Sequence, residues 1–405
     1  MLQVGVWLMR IFIVGVFFLV GGLSYRVMKT LNVLSQQQTT VFTIAILLLP
    51  INGSRIGLTT FRASLSLLAL LLAMFLLLKR RPTTDVVAIL LLFTSSFWPS
   101  LQVFGLTLPL VSMIQDLKLF GRVTGRSRML TAIVVLMAVV HRYVVPDVVV
   151  ELGLSGKPIG YNSIGSSSLV RGLLVLGVLG TPLAWSVIST LMGGGRPKNF
   201  QPMPTSVGLW LLALGTFPYL VVGHFPNLSD WITVFLPDTS DWNSRHQLLQ
   251  GPGLALLIVG VTDSVRPELR MRALALVVLT CLSLSIGTNV SYYADSLKQR
   301  DFIAALQENK DRLVGVNVLE IKDRADDLNA RGRVLRHYEW SGLATQALGR
   351  PITATDHVEV DSYAGCIGKS AGRVVTIEKV SGRLKAIVFR TRLVSISIDE
   401  LIVCN

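Results

Sequence analysis

The chain has 405 residues, a formal net charge of +14 and a pI near 10.0. Hydrophobic residues make up 51% and charged residues only 15%, with a mean hydropathy of +0.58, which excludes an ordinary soluble protein and an intrinsically disordered one. The surplus Lys and Arg sit in short links between apolar runs, where they set orientation and meet anionic head groups, so the basic charge does not point to nucleic acid.

In chain order the candidate spans are Val4–Leu23, a run ending near Pro50, Phe61–Leu78, Val86–Trp98, Leu101–Ile114, Leu130–Val145, Leu169–Leu191, Val207–Val222, Leu248–Val261 and Ala273–Val290. An upright crossing takes about 20 apolar residues. The first run is long enough and shows no small-residue cleavage site, so it is expected to remain as a span. The two runs on either side of Pro99 are short, and Ser95-Ser96-Phe97-Trp98-Pro99-Ser100 breaks a helix there. They form either a hairpin or one broken helix. Charge favours the hairpin: Lys79-Arg80-Arg81 precedes the segment and Arg122, Arg126 and Arg128 follow it, and both clusters belong on the cytoplasmic side. Arg196 and Lys198, and later Arg266, Arg270 and Arg272, fall on that side too. The N-terminus, the loops Pro146–Ser168 and His224–Gln247, and everything after Ser291 are then outside the cytoplasm.

Residues 1–290 therefore read as a polytopic transmembrane domain and residues 291–405 as an extracytoplasmic domain of α+β type, long enough for a core of its own. A helix is expected over Asp295–Asn309, a strand over Leu313–Ile321, and a helix or solvated loop over Lys322–Arg336. Val374–Val380 and Leu384–Phe389 flank Ser381-Gly382, which predicts an antiparallel hairpin. The stretch His337–Gly342 offers Tyr338 and Trp340 either to a sugar or to the domain core.

Cys366 and Cys404 both fall in the exported domain, where an oxidising compartment permits a disulfide. Sequons at Asn52, Asn227 and Asn289 fall on the same side. Gly365–Ser370 ends like a phosphate-binding loop, but Tyr363 occupies the place of its first glycine. No His/Cys set has zinc spacing and no nucleophile elbow occurs, so neither metal nor cofactor is expected.

Cations recur on the outer side: Arg55 and Arg62 beside the third span, His141-Arg142 at the end of the sixth and Arg245-His246 before the ninth. The planar fork of arginine suits phosphate oxygens, and histidine adds proton transfer near neutral pH. With Asp241 in the same late loop, such a set could hold a diphosphate and activate a hydroxyl, Asp241 and His246 serving as catalytic groups. The same residues could equally only meet head groups. Arg10 and Arg171 lie within apolar runs and must snorkel or face the bundle interior.

Leu47-Leu48-Leu49-Pro50 leading through Gly53-Ser54-Arg55-Ile56 into Phe61–Leu78 and Lys79-Arg80-Arg81, with Arg245-His246 in a late outer loop, loosely resembles the bacterial membrane glycosyltransferases of the GT-C class, including O-antigen polymerases and ligases. The resemblance covers the membrane half. It implies an inner-membrane protein of the cell envelope, with outer arginines holding a polyprenyl-diphosphate-linked sugar during polysaccharide or glycolipid assembly. The link Asn52–Thr60 has no Asp or Glu, so the acidic residue many of those enzymes carry in the first outer loop has no counterpart there. The resulting expectation is an all-α bundle of about ten transmembrane or re-entrant helices with a soluble α+β domain. Its partners would be membrane lipids, the sugar donor, and a protein bound through the C-terminal domain. The rival readings are a non-enzymatic complex subunit and a small-molecule transporter.

The orientation is directly testable. A reporter that is active only in the cytoplasm, fused after Asn405, is expected to stay silent, and a bright signal reverses the assignment of every loop.

Overall fold

The computed structural model describes residues 2–49, 61–96, 101, 104–144, 166–192, 203–221, 249–330, 333–356 and 372–400, and among the described residues up to Glu308 there are ten α-helices, α1 to α10. They are α1 (Leu2–Leu31), α2 (Gln36–Leu48), α3 (Phe61–Leu78), α4 (Pro82–Ser95), α5 (Thr107–Phe120), α6 (Gly125–Tyr143), α7 (Ser166–Met192), α8 (Pro204–Val221), α9 (Gly251–Ser264) and α10 (Pro267–Glu308). Three of these are long and apolar enough to cross a bilayer: α1 over Ile11–Leu31, α7 over Ser168–Ser189, and α10. The protein is thus mostly helical and suited to a membrane. Each expected apolar run overlaps a helix among the described residues, although the run Leu101–Ile114 is matched only from Thr107 and the first helix extends beyond Leu23. It runs on to Leu31 because Arg26 and Lys29 are exposed and cost it nothing, and it stops at Asn32, whose φ of 51° is a left-handed terminus. Ser35 and Gln38 then open α2 as a capping box, each side chain accepting from the other's backbone N–H at 3.2 and 2.8 Å.

The chain divides into two compact units, the first taking in the helices up to Ser285 and the second running from Ile286 to Asn405. In the first unit, leucines and phenylalanines of α1 to α6 form one continuous core with α8 and α9. The contact between α8 and α9 depends on small residues. A methyl group at Gly253 would overlap the backbone of Leu212 and Gly208, and one at Gly215 would overlap that of Leu249. Close approach of this kind is the usual route to helix association where lipid removes the hydrophobic drive.

The second unit is built on a four-stranded mixed sheet in the order β2-β1-β3-β4. The strands are β1 (Val318–Asp323), β2 (Thr353–Asp356), β3 (Gly372–Lys379) and β4 (Val394–Glu400), with α11 (His337–Leu348) between β1 and β2 and α12 (Arg383–Phe389) between β3 and β4. β1 runs parallel to β2 and β3, and β4 is antiparallel to β3, pairing Val375 with Ile398 and Ile377 with Ile396. The sequence expectation of a terminal hairpin is corrected here. Leu384–Phe389 is helical, and the partner of β3 lies one element later. The reason is visible in the burial: Ala386 packs inward, whereas Leu384, Val388 and Phe389 point away from the core, a periodicity no half-buried strand can adopt. Lys322–Arg336 forms the end of β1 and a single turn of 3-10 helix at Asp326–Leu328, with no α-helix among its described residues.

The expected helix Asp295–Asn309 is the C-terminal part of α10 rather than a separate element. Its inward face carries Phe302 against the Trp340 ring, edge to face at 5.1 Å, and Trp340 is fully buried while Tyr338 is exposed. Trp340 is therefore a core anchor. The same face buries three charged residues. Lys298 is inaccessible to solvent and donates to both carboxylate oxygens of Asp323 at 2.7 and 2.6 Å, to the Ala325 carbonyl at 2.9 Å and to Asn329 at 2.7 Å. Asp295 meets Arg333 at 3.3 Å, and Asp301 accepts from the Leu393 backbone N–H at 2.7 Å.

Removing one member of such a buried pair strands the other's charge, at a cost of about 3–5 kcal/mol, and the cost is larger for a stranded Lys298, which no water reaches, than for a stranded Asp323, which is 16% exposed. Asp323→Ala is accordingly expected to destabilise the second unit more than Lys298→Met does, as measured by hydrogen-exchange protection of β1 and β3 in the full-length protein. Equal losses would show that the ammonium is not held by Asp323.

Candidate functional site

The first unit contains an apolar cleft with a cavity volume of about 70 Å³, lined by α1, α2, α3, α5, α8 and α9, with Met28, Phe42, Met74, Val111, Leu211 and Leu256 as one contribution from each. That is well below the about 300–1,000 Å³ of a site that encloses a whole ligand, and it suits a short stretch of hydrocarbon. Its wall is almost free of polar groups: among the lining residues only Ser24 and Thr107 have a polar side chain, and the Thr107 hydroxyl donates to the Phe104 carbonyl at 2.8 Å. A charged or strongly hydrated ligand would lose its water in such a cleft without recovering hydrogen bonds. An aliphatic chain loses nothing.

A buried polar network fixes the walls. Arg80 at the end of α3 donates to Asp116 of α5 at 2.7 Å, and the other carboxylate oxygen of Asp116 accepts from the Thr124 backbone N–H at 2.9 Å and from the hydroxyls of Thr124 and Ser127 at 2.5 Å each. Ser127 lies 2.7 Å from Ser112. Arg126 forks onto Asp85 of α4 at 2.8 and 2.6 Å and reaches the Leu77 carbonyl at 2.7 Å. Lys118 closes the end of α1 by donating to the carbonyls of Leu31 at 3.2 Å and Asn32 at 2.5 Å, the residue type that suits a helix C-terminus. Gln115 does the same for α3 at the Leu78 carbonyl, 2.9 Å away.

These bonds bring the start of α4, the end of α5 and the start of α6 to one end of the bundle. α4 and α5 therefore run in opposite senses, while residues 97–100, with Pro99, lie outside the described residues. The network also orders the expected cations. α3 and α6 meet at the network by Leu77 and Arg126, so Arg62, at the first turn of α3, and His141 and Arg142, at the last turn of α6, share the opposite end. α3 alone is about 27 Å long at the helical rise. Of the three side chains, only that of His141 is described. It is 1% exposed, with its ring 4.8 Å from that of Phe93 of α4. It is a buried packing group where the sequence suggested an open cationic ligand. An outward position near a helix end reads as exposed until a neighbouring helix covers it. Arg55, Asp241, Arg245, His246, Cys366 and Cys404 lie outside the described residues, as does the run Gly365–Ser370. Among the described residues no group of three His, Cys, Asp or Glu converges as a metal site would.

The sequence reading missed the Asp116 network and the cleft. Asp116 is a lone carboxylate in an apolar run, flanked by Gln115 and Lys118, and such a charge within a span is itself a signal that partners converge on it. The cleft leaves no such mark, since its lining residues are the ordinary Leu, Val, Met and Phe of any apolar helix.

Comparison with protein-family models, with curated proteins and with solved structures finds no match to this chain.

Removing Asp116 is costly even though the intact network adds little net stability, because its partners stay buried without it. Asp116→Ala leaves the Arg80 guanidinium and two hydroxyls facing a vacancy and is expected to lower the stability of the detergent-solubilised protein by about 3 kcal/mol or more, read as a drop in its thermal denaturation midpoint. Arg128→Ala, at an exposed position of α6, is expected to change it by no more than about 0.5 kcal/mol.

Proposed function

We propose that this protein takes the aliphatic chain of a membrane lipid into the apolar cleft and acts on a lipid-linked substrate. The observation that carries the reading is the cleft itself, almost wholly apolar space among six helices of a protein suited to a membrane. A bilayer presents one abundant class of ligand with matching chemistry, the acyl or isoprenoid tail. Tail binding gives affinity without charge, while the head group stays at the membrane boundary for recognition or reaction.

Within this reading the protein is an inner-membrane component of the cell envelope with about ten membrane-embedded helices. Its substrate is a polyprenyl-diphosphate-linked sugar, and its reaction is glycosyl transfer on the outer face. The grouping of Arg62, His141 and Arg142 at the end of the bundle away from the Arg80 network supports an outer head-group site, to which Arg55 and Arg245 contribute by sequence. Asp241 and His246 are the carboxylate and imidazole available there to deprotonate an acceptor hydroxyl, and His141 acts through packing.

The test separates tail binding from chemistry. A polyprenyl or acyl phospholipid with a photoactivatable group in its chain should crosslink to residues of α1 and α5 in the full-length protein. Leu211→Trp, which fills the cleft, should abolish that crosslink with the protein still folded. Arg245→Ala should keep the crosslink and abolish glycan product. Crosslinking that is indifferent to Leu211→Trp removes the cleft as the tail site, and full product from Arg245→Ala removes the diphosphate assignment.

A further inference from the structure

The helix α12 is short, but its outward face is unusual for a domain in water. Seven residues, Arg383–Phe389, run between β3 and β4. At the helical angle of about 100° per residue, Leu384, Val388, Lys385 and Phe389 fall on one arc, and Ala386, Arg383 and Ile387 on the other. The second arc packs on the sheet: Ala386 is 1% exposed and Ile387 adjoins the domain core. On the outward arc Leu384 is 70% exposed, Val388 67% and Phe389 71%, and Val380 just before the helix is 59% exposed. Three of the four outward positions thus hold large apolar side chains, where a solvated helix would place polar ones.

Charge says what covers them. Between Val380 and Leu393 the chain has Arg383, Lys385, Arg390 and Arg392 and not one carboxylate. Lys385 and Arg390 are exposed, and Arg392 is the member of the set engaged inside the domain, on Glu308. Apolar side chains ringed by cations, with no acid among them, match a surface that is negative at the head groups and apolar beneath, which is an anionic leaflet. A protein groove of opposite charge would supply the acids but not the matching depth of hydrocarbon for Leu384, Val388 and Phe389 together. Covalent continuity adds to this. The helix α10 carries the chain from an apolar, bilayer-crossing stretch straight into the second unit with no intervening linker. A bilayer surface is therefore always present at high effective concentration, so an individually weak contact suffices.

We propose that α12 is a lipid-docking element: Leu384, Val388 and Phe389 insert among the outer carbons of the leaflet that faces the second unit, with Lys385 and Arg390 on the phosphates of anionic lipids. The contact needs only the membrane-spanning character of the first unit and is independent of the cleft and of any reaction. It tethers the domain at a second point and so limits its motion about α10.

The experiment uses the full-length protein in vesicles. An environment-sensitive fluorophore is placed by Val388→Cys in a chain carrying Cys281→Ser, Cys366→Ser and Cys404→Ser, and is read against brominated acyl chains and against aqueous iodide. In phosphatidylcholine with phosphatidylglycerol, the label should be blue-shifted, quenched by the brominated chains and shielded from iodide. In phosphatidylcholine alone, these effects should be much weaker. Lys385→Gln and Arg390→Gln should each weaken docking about fivefold in the anionic vesicles, and Phe389→Asp should abolish it. All three are exposed positions, so the domain core is not disturbed. Hydrogen exchange of the peptide around residues 380–393 in the chain with its native cysteines gives a second reading, and slower exchange in anionic than in neutral vesicles is expected. A label open to iodide and untouched by brominated chains in both vesicle types overturns the proposal and leaves the face to a protein partner or a second copy of the chain. Equal quenching in both overturns the role given to the cations.

Discussion

The membrane unit depends on how a single carboxylate, Asp116, is accommodated. Asp116 is fully buried, and a charge in that position is tolerable only when its hydrogen-bonding capacity is filled. It is filled by groups from separate pieces of chain: Arg80 after α3, Thr124 before α6 and Ser127 within α6. None of these can move away without uncovering the charge. With the Arg126 fork on Asp85, the ends of α3, α4, α5 and α6 are drawn into one arrangement. Val111 and Ile114, within about a turn and a half of Asp116 on the same helix, are walls of the cleft, so the carboxylate fixes the apolar surface from outside it.

This arrangement explains how an apolar cleft persists in a bundle of leucine-rich helices. Such helices slide past one another at little cost, because one apolar face resembles the next and lipid is as apolar as leucine. A void between them would normally close. Two devices hold it open on opposite sides, the polar network at α3 to α6 and the glycine contact at α8 and α9, where backbones approach too closely for any rotation to be silent. The helices carrying Leu211 and Leu256 are thus pinned to each other, while those carrying Met74 and Val111 are pinned by charge.

Much of this architecture is legible in the sequence, and what escapes it does so for physical reasons. Apolar runs announce helices because a bilayer leaves the backbone no other way to satisfy itself, and basic links announce the ends that lie together, as Arg80 and Arg126 do. The partner of Asp116 is not legible, because Arg80 and Ser127 lie 36 and 11 residues away and no local rule couples them. His141 illustrates a different gap: its covering group, Phe93, comes from another helix, and only the packed bundle decides whether a histidine near a helix end is solvated. The misread hairpin at Leu384–Phe389 has a local cause. A run of apolar and basic residues after Ser381-Gly382 satisfies both periods over so short a length, and the arbiter is that Ala386, with Ile387 beside it, fits against the sheet while Leu384 and Val388 do not. For the cations expected on the outer side the sequence supplies the position along the chain, and the fold adds only that Arg62, His141 and Arg142 share one end.

The second unit repeats the logic of Asp116 with the sign reversed. Along α10, Asp295, Lys298 and Asp301 recur every third residue on the face that also carries Phe302, and all three are buried. An apolar stripe alone would let this stretch of helix pack on the sheet in several registers of similar energy. Lys298 removes that freedom, since only one placement brings its ammonium to Asp323, the Ala325 carbonyl and Asn329 together, and only that placement lets Asp301 meet the Leu393 N–H at the start of β4. The sheet in turn needs Asp323 where it is, at the end of β1, the strand that pairs on both sides. Buried charge therefore adds little net stability to either unit, because desolvation consumes most of the Coulomb gain. What it supplies is choice among packings that hydrophobic burial leaves degenerate, once among helices surrounded by lipid and once between a helix and a sheet.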